Sequence, residues 1–176
     1  AVVGGPGVNG MKGAVYVYAR SGNTWTEQQV LAADDGDTGD SFGKAVSISF
    51  DTIAVGAPRG DSDSKDNVGA VYIFDRNSSG TWSQTVKLTA SDAGVNDDFG
   101  IAVSLSNNHL VIGSPLNDIK GSASGSIYIF TRSGSTWTQK HNFTAPTGTS
   151  NEKYGAAVAR DGNRILVGAP GTKVNG

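Results

Sequence analysis

The sequence predicts an all-β chain built from a repeated four-stranded unit, and three observations carry that prediction. Glycine accounts for 25 of the 176 residues, roughly twice its average usage, with neither the Gly-x-y period nor the proline content of collagen. Turns are therefore frequent and strands short. No stretch sustains a helical period, and the same motifs return three times at fixed intervals, as in repeat architectures.

The repeat is read from its aromatics. Tyr16, Tyr72 and Tyr128 lie inside Gly13-Ala-Val-Tyr-Val-Tyr18, Gly69-Ala-Val-Tyr-Ile-Phe74 and Gly125-Ser-Ile-Tyr-Ile-Phe130. Trp25, Trp82 and Trp137 follow, each after a Thr, and then Phe42-Gly43, Phe99-Gly100 and Tyr154-Gly155. Gly56-Ala57-Pro58, Gly113-Ser114-Pro115 and Gly168-Ala169-Pro170 close the copies, with a fourth such strand at Gly4-Gly5-Pro6. The step from Trp to the aromatic before Gly is 17 residues in every copy (25 to 42, 82 to 99, 137 to 154). From that aromatic to the proline it is 16 (42 to 58, 99 to 115, 154 to 170). The repeats run approximately 1–52, 53–110 and 111–164, with 165–176 starting a further copy, all in one domain.

Each unit supplies four strands. Residues 14–18 alternate and are rich in Val and Tyr, as a half-buried strand should be. Residues 25–31 form a more polar strand after a Ser-Gly-Asn turn. Residues 45–49 form a third, rich in small side chains, and residues 53–55 a fourth, reached through the turn at Phe50-Asp51-Thr52. Four strands in roughly 55 residues is the pattern of a β-propeller blade. Small residues suit an inner strand near the axis. The large aromatics, Trp25, Trp82, Trp137, Phe42, Phe99, Tyr154, Tyr16, Tyr72 and Tyr128, suit the gaps between blades. Propellers typically need at least four blades, so about three blades make a partial ring. A segment of a longer propeller is expected over a ring closed by several copies, because the two ends duplicate one strand instead of complementing each other.

Composition excludes several functions. Hydrophobic residues at 37% and charged residues at 17% suit a folded globular chain with one sizeable core. Fourteen Lys+Arg against sixteen Asp+Glu give a net charge of -2, so no basic field awaits nucleic acid or an anionic membrane. No apolar run approaches the roughly 20 residues of a membrane span, and no membrane insertion by this segment is expected. Cysteine is absent, which rules out disulfides and thiolate metal sites. The opening Ala1-Val2-Val3-Gly4-Gly5 has no charged or apolar leader, so no signal peptide is visible.

The motifs resemble FG-GAP repeats, as in the integrin α-subunit head and, more closely, in many bacterial and algal surface proteins. The resemblance rests on Ala33-Asp34-Asp35-Gly36 through Asp40-Ser41-Phe42-Gly43, then Val46-Ser47-Ile48-Ser49, Val55-Gly56-Ala57-Pro58, Gly69 to Phe74 and Thr81-Trp82, in three copies across the chain. It implies a ring of about seven blades, working outside the cell or at its surface in adhesion, protein–protein interaction or assembly. It implies other protein chains or further blades of the same protein as partners, and no catalytic reaction. One departure stands out. Integrin-type repeats place an Asp-x-Asp-x-Asp-Gly-like calcium loop before the strand ending in Gly-Ala-Pro, and here that connection is a tight turn without three carboxylates. Calcium needs six to eight oxygens, so those sites are not carried over and no cofactor is required.

Comparison among copies separates scaffold from candidate function. Asp40, Asp97 and Glu152 stand ahead of each aromatic-Gly pair, and Asp35 and Asp92 are equivalent with Thr147 third. A recurring carboxylate there is expected to accept backbone N–H groups of the turn. Gly39-Asp40-Ser41-Phe42-Gly43 fits the nucleophile-elbow pattern, yet Asp98 and Lys153 replace Ser41 in the other copies and no motif positions a His. Gly5-Pro6-Gly7-Val8-Asn9-Gly10 fits a dinucleotide fingerprint, but no helix is expected to follow it. His109, in a turn, and His141, on an outer strand, are expected to be solvated.

Length variation is read as falling in one place, between Gly-x-Pro and the next Gly-x-x-Tyr, and variable loops on a rigid scaffold carry recognition. The longest holds Arg59, Asp61, Asp63 and Asp66. The last three are the candidate set for a hard cation such as Ca2+, against a solvated loop with no ligand. Arg59-Gly60-Asp61 also matches the tripeptide that integrins recognise, a three-residue match that chance explains readily. Asn77 and Asn142 open N-glycosylation sequons, relevant if a eukaryote secretes the chain. The leading expectation is a non-enzymatic extracellular module. The alternatives are a glycan- or protein-binding module acting through the variable loops, and a propeller appended to an enzyme whose catalytic domain lies elsewhere.

Overall fold

The computed structural model describes residues 1–62 and 65–173. Among them thirteen strands form four antiparallel sheets, the arrangement of a partial β-propeller. The first sheet holds β1 (Val2–Gly5), β2 (Ala14–Ser21) and β3 (Thr24–Leu31), with a short helical turn, α1 (Val8–Met11), after β1. The second holds β4 (Ala45–Ser49), β5 (Thr52–Ala57), β6 (Ala70–Arg76) and β7 (Trp82–Leu88). The third holds β8 (Ala102–Ser106), β9 (His109–Ser114), β10 (Ser126–Ser133) and β11 (Thr136–Thr144). The fourth holds β12 (Ala157–Asp161) and β13 (Arg164–Gly168). Strands adjacent in the chain are adjacent in each sheet. Every outer hairpin carries a one-residue bulge at the same point, between Val17 and Tyr18, Ile73 and Phe74, and Ile129 and Phe130.

Repeats and sheets are out of phase. A repeat delimited by its motifs supplies the two outer strands of one blade and the two inner strands of the next, because residues 32–44 and 89–101 cross between blades. Two sheets are therefore complete, and the repeat limits 1–52, 53–110 and 111–164 cut across sheets. The expectation of no helix after Gly7 is amended to one kinked turn. Asn9 and Gly10 inside α1 have left-handed φ values of 51° and 69°, so α1 offers no stack of N–H groups for a phosphate.

Apolar side chains gather between the sheets. At the first junction Val15, Val17 and Leu31 meet Tyr72, Phe74 and Trp82, and the Phe42 ring lies edge-on to Tyr72 and Phe74 at 5.5 and 5.9 Å. At the second, Val71, Ile73 and Leu88 meet Tyr128, Phe130 and Trp137, with Phe99 edge-on to Tyr128 and Phe130 at 5.2 and 6.3 Å. Trp82 and Trp137 are 5% and 8% exposed, as an inter-blade position requires, whereas Trp25 is 52% exposed. That departs from its expected burial. Trp25 lies on the side of the first sheet that no other sheet covers among the described residues, with only the Arg20 guanidinium above its ring, 5.9 Å from the centroid. Tyr16 and Tyr154 are half-buried for the same reason, one at each end.

The glycines of the repeat let the inner strands touch backbone to backbone. A Cβ on Gly4, Gly56 or Gly113 would overlap the carbonyl oxygen of Gly43, Gly100 or Gly155 in the next blade. Serines then bridge the blades: Ser47 Oγ accepts the Leu105 N–H and Ser104 Oγ the Arg160 N–H, both at 3.0 Å. At the rim, Arg132 grips Asp75 with both guanidinium nitrogens, at 2.7 and 2.9 Å, and Thr52 and Thr85 donate to the same carboxylate at 2.8 and 2.9 Å. Burial works to raise the Asp75 pKa, but these donors outweigh it and hold the carboxyl below its usual value of 3.8.

Candidate functional site

Antiparallel order dictates what shares a face. The loops after β1, β5 and β9 and the linkers after β3, β7 and β11 all emerge on one side of the propeller, and backbone bonds join them. Ser41 N–H donates to Met11, Asn96 N–H to Asn67 and Asn151 N–H to Ser122, at 2.8, 2.7 and 2.8 Å. In the sequence, twelve of the sixteen Asp and Glu residues fall in these segments or after β13, against seven of the fourteen Lys and Arg. The loop side is thus richer in acidic than in basic residues, an asymmetry that a net charge of -2 conceals.

Two of the recurring carboxylates are tied into their turns. Asp40, 6% exposed, accepts the Asp37 N–H at 2.8 Å, and Asp97, 7% exposed, accepts the Gly94 N–H at 3.0 Å. Burial raises both pKa values, against the lowering effect of those bonds. Glu152 departs from the expected pattern, because its longer side chain accepts the Thr149 hydroxyl at 2.7 Å instead of a backbone N–H. Its other oxygen is buried with no hydrogen-bond partner. Residues outside the repeat pattern complete one of these sites. Asn117, 2% exposed, donates to Asp97 at 2.9 Å and to the Tyr128 hydroxyl at 3.3 Å, and accepts the Ser126 hydroxyl at 2.9 Å. Sequence comparison misses Asn117 because it occurs in one copy, and its only signal is its place two residues after Pro115. Asp35 pairs with Lys87 and stands beside Tyr72. Burial works to raise it, yet the Lys87 ammonium holds its pKa below the usual value, while burial and the neighbouring carboxylate push the Tyr72 hydroxyl up.

The longest loop is only partly open. Arg59 and Asp66 are exposed, but Asp61 folds back to accept the Asn67 N–H at 2.7 Å, so Arg59-Gly60-Asp61 does not present both charged ends freely. Asp63 lies outside the described residues. Among the described residues no three His, Asp or Glu side chains gather as a cation would need. Lys65 from this loop donates to the Ala93 carbonyl at 2.8 Å. Together with Ser62 and Thr89 to Ala93 it lines a polar cleft of about 420 Å³ between the second and third blades.

The remaining motifs settle as scaffold or surface. Ser41 has φ 59°, but Asp98 and Lys153 share that left-handed turn at 56° each. The conformation belongs to the repeat, and Ser41 Oγ donates only to the Gly39 carbonyl, at 3.2 Å. His141 is exposed as expected, while His109, expected in a turn, opens β9 and is also exposed. Asn77 Oδ1 accepts from Ser79 and Thr81 in an exposed five-residue turn, 77–81. The other blades connect the same strands with two residues, so length varies in a second place that the sequence comparison overlooked. Exposed Asn142 donates to Asp92 at 3.3 Å. No helix of the described residues is long and apolar enough to cross a membrane.

Comparison with known proteins agrees with this geometry. No curated protein matches the sequence. The family model described as FG-GAP repeat matches residues 25–74, 82–130 and 137–176, each span running from the Trp strand of one blade through the paired glycines into the next. The chain belongs to the FG-GAP repeat family.

Proposed function

We propose that the chain is an extracellular, non-catalytic propeller module for adhesion or surface assembly, and that it recognises protein partners through its acidic loop face. The observation that carries the reading is the division of labour on that face. The shared Asp40 and Asp97 are folded into turns, while the loops after β1, β5 and β9, which differ between copies, crown the same side. A concentration of carboxylates there favours partners with a basic surface and makes encounter sensitive to salt. Particles coated with the chain are tested for adhesion to cultured cells at rising ionic strength. A variant in which residues 59–67 are replaced by the shorter 7–12 runs alongside. Adhesion should fall with salt and drop at least tenfold in the variant. Equal adhesion by both proteins sinks the proposal.

A second reading draws on the polar cleft beside Lys65 and Asp92, which suits a hydroxyl-rich ligand such as a glycan. Binding on a glycan array that Lys65→Ala removes would favour it over protein recognition.

A further inference from the structure

We propose that Asn77 is an N-glycan acceptor of this chain and that the fold withholds the second sequon, at Asn142. Sequons of this kind are used in secreted proteins, so the inference rests on the reading of the chain as extracellular and adds a modified residue to it.

The site lies in the one outer turn that departs from the repeat. β2 and β3, and likewise β10 and β11, are joined by two residues, whereas β6 and β7 are joined by the five residues 77–81. The extra length lets Asn77 organise the turn around itself. Its backbone N–H donates to the Thr81 carbonyl at 2.9 Å, and its carbonyl accepts the Gly80 N–H at 3.0 Å. Arg76 Nε donates to the Gly80 carbonyl at 3.3 Å, and Gly80 takes the left-handed φ of 89° that this closure needs. The side-chain Oδ1 accepts three bonds, from the Ser79 N–H at 3.1 Å, the Ser79 hydroxyl at 2.8 Å and the Thr81 N–H at 2.9 Å. Only the oxygen of an amide can accept from a backbone N–H, so those donors fix which end of the side chain faces the turn. Nδ2, at the other end of the planar amide, has no hydrogen-bond partner among the described residues, and Asn77 is exposed.

Those features are what an acceptor must supply. Transfer joins Nδ2 to the anomeric carbon of a lipid-diphosphate-linked oligosaccharide. The bond from that carbon to the diphosphate oxygen breaks, its electron pair leaves with the diphosphate, and one Nδ2 proton passes to a base of the transferase. The sequon requires an amide and a hydroxyl two residues apart, and in this turn the two are in contact. The turn projects from the side opposite the loop face, so a sugar there leaves the loops uncovered.

Asn142 differs on each point. Its Nδ2 donates to Asp92 at 3.3 Å. Its sequon runs along β11, with Asn142 paired to Tyr128, Phe143 to Ile127 and Thr144 to Ser126. Residues two apart on a strand share a face but stand about 7 Å from each other. Bringing the Asn142 amide to the Thr144 hydroxyl would bend the strand and strip ladder bonds from the third blade, whereas turn 77–81 meets a transferase as it stands.

The test is transfer to the folded 176-residue chain from a dolichyl-diphosphate oligosaccharide by purified oligosaccharyltransferase, read by intact mass and peptide mapping. One oligosaccharide per chain is expected, on Asn77. Asn77→Asp keeps an oxygen for all three donors, so it should retain the circular dichroism spectrum of the wild type and gain no sugar. Ser79→Ala should cut transfer at least tenfold, and Asn142→Gln should be modified as fully as the wild type. An unmodified folded chain, a sugar on Asn142, or undiminished transfer to Ser79→Ala would overturn the proposal. Transfer is read without cells, so a failure of adhesion and a failure of glycosylation are separate results.

Discussion

Gly56→Ala puts one methyl group where two blades meet. Its Cβ would overlap the carbonyl oxygen of Gly100 and stand 2.9 Å from that carbonyl carbon, well short of the roughly 3.5–4.0 Å at which carbon atoms pack. Neither backbone can turn aside. The Gly100 N–H is bonded to Gly113 at 3.0 Å, and the Gly56 carbonyl accepts from Gly43 and Lys44, both at 3.1 Å. The second and third blades must therefore part by on the order of 1 Å, which forfeits a quarter to a half of the dispersion attraction across the gap. Overpacking costs about 1–3 kcal/mol, and a backbone obstacle places this case near the top of that range. At about 2–4 °C per kcal/mol for a chain of this size, Tm should fall by roughly 6–12 °C. The control is Gly7→Ala, which has open space around it and φ −87°, and whose expected effect is nil or a gain of about 0.4–1 kcal/mol. Calorimetry on both variants decides. A Gly56→Ala protein melting within a degree of the wild type would refute the backbone-contact account of the repeat glycines.

Two further outcomes follow from the junctions. Trp82→Ala should cost about 3–5 kcal/mol, since Trp82 is 5% exposed between the first two blades; an unchanged urea midpoint would remove it from the core. Asp75→Asn should cost about 1.5–3 kcal/mol near neutral pH by weakening the charged bonds to Arg132. Because the Asp75 pKa is lowered in the folded chain, its contribution is full above about pH 4, the unfolded value, and is lost as pH falls through the folded one. The gap between wild type and variant should therefore shrink in acid, and a gap that widens there would contradict the assignment.

Much of the architecture is legible in the sequence because the repeat prints each inter-blade contact more than once. Tyr72 and Tyr128, Phe42 and Phe99, and Trp82 and Trp137 announce their common burial by recurring at fixed steps. What stays hidden depends on one copy or on a neighbour. The Asn117 network and the Arg132–Asp75 pair occur once, between residues distant in the chain, so no internal comparison flags them. Trp25 holds the same place in its repeat as Trp82, after a Thr and six residues before a Leu, and its exposure is set by a blade that no described residue supplies. The phase of the sheets was equally invisible, since hydrogen bonding, not motif order, decides which strands share a blade. Of the candidate loop, residue types were legible, but the inward turn of Asp61 was not, because it depends on the Asn67 backbone.

The bulge that recurs in each outer hairpin acts as a parity switch. Side chains along a strand alternate between faces, so Trp25 and Val30, five residues apart, ought to point in opposite directions. With one residue left over, Gln28, Thr85 or Lys140 in turn, the alternation resets partway along the strand. The tryptophan then returns to the face of the tyrosine that the inner half of the strand also serves. Deleting Thr85 would undo that reset while removing no apolar contact residue, only the hydroxyl that donates to Asp75, and it would swing Trp82 from the first junction to the face of its sheet that meets the third. A blade could keep all of its aromatics in this way and still present them to the wrong neighbour.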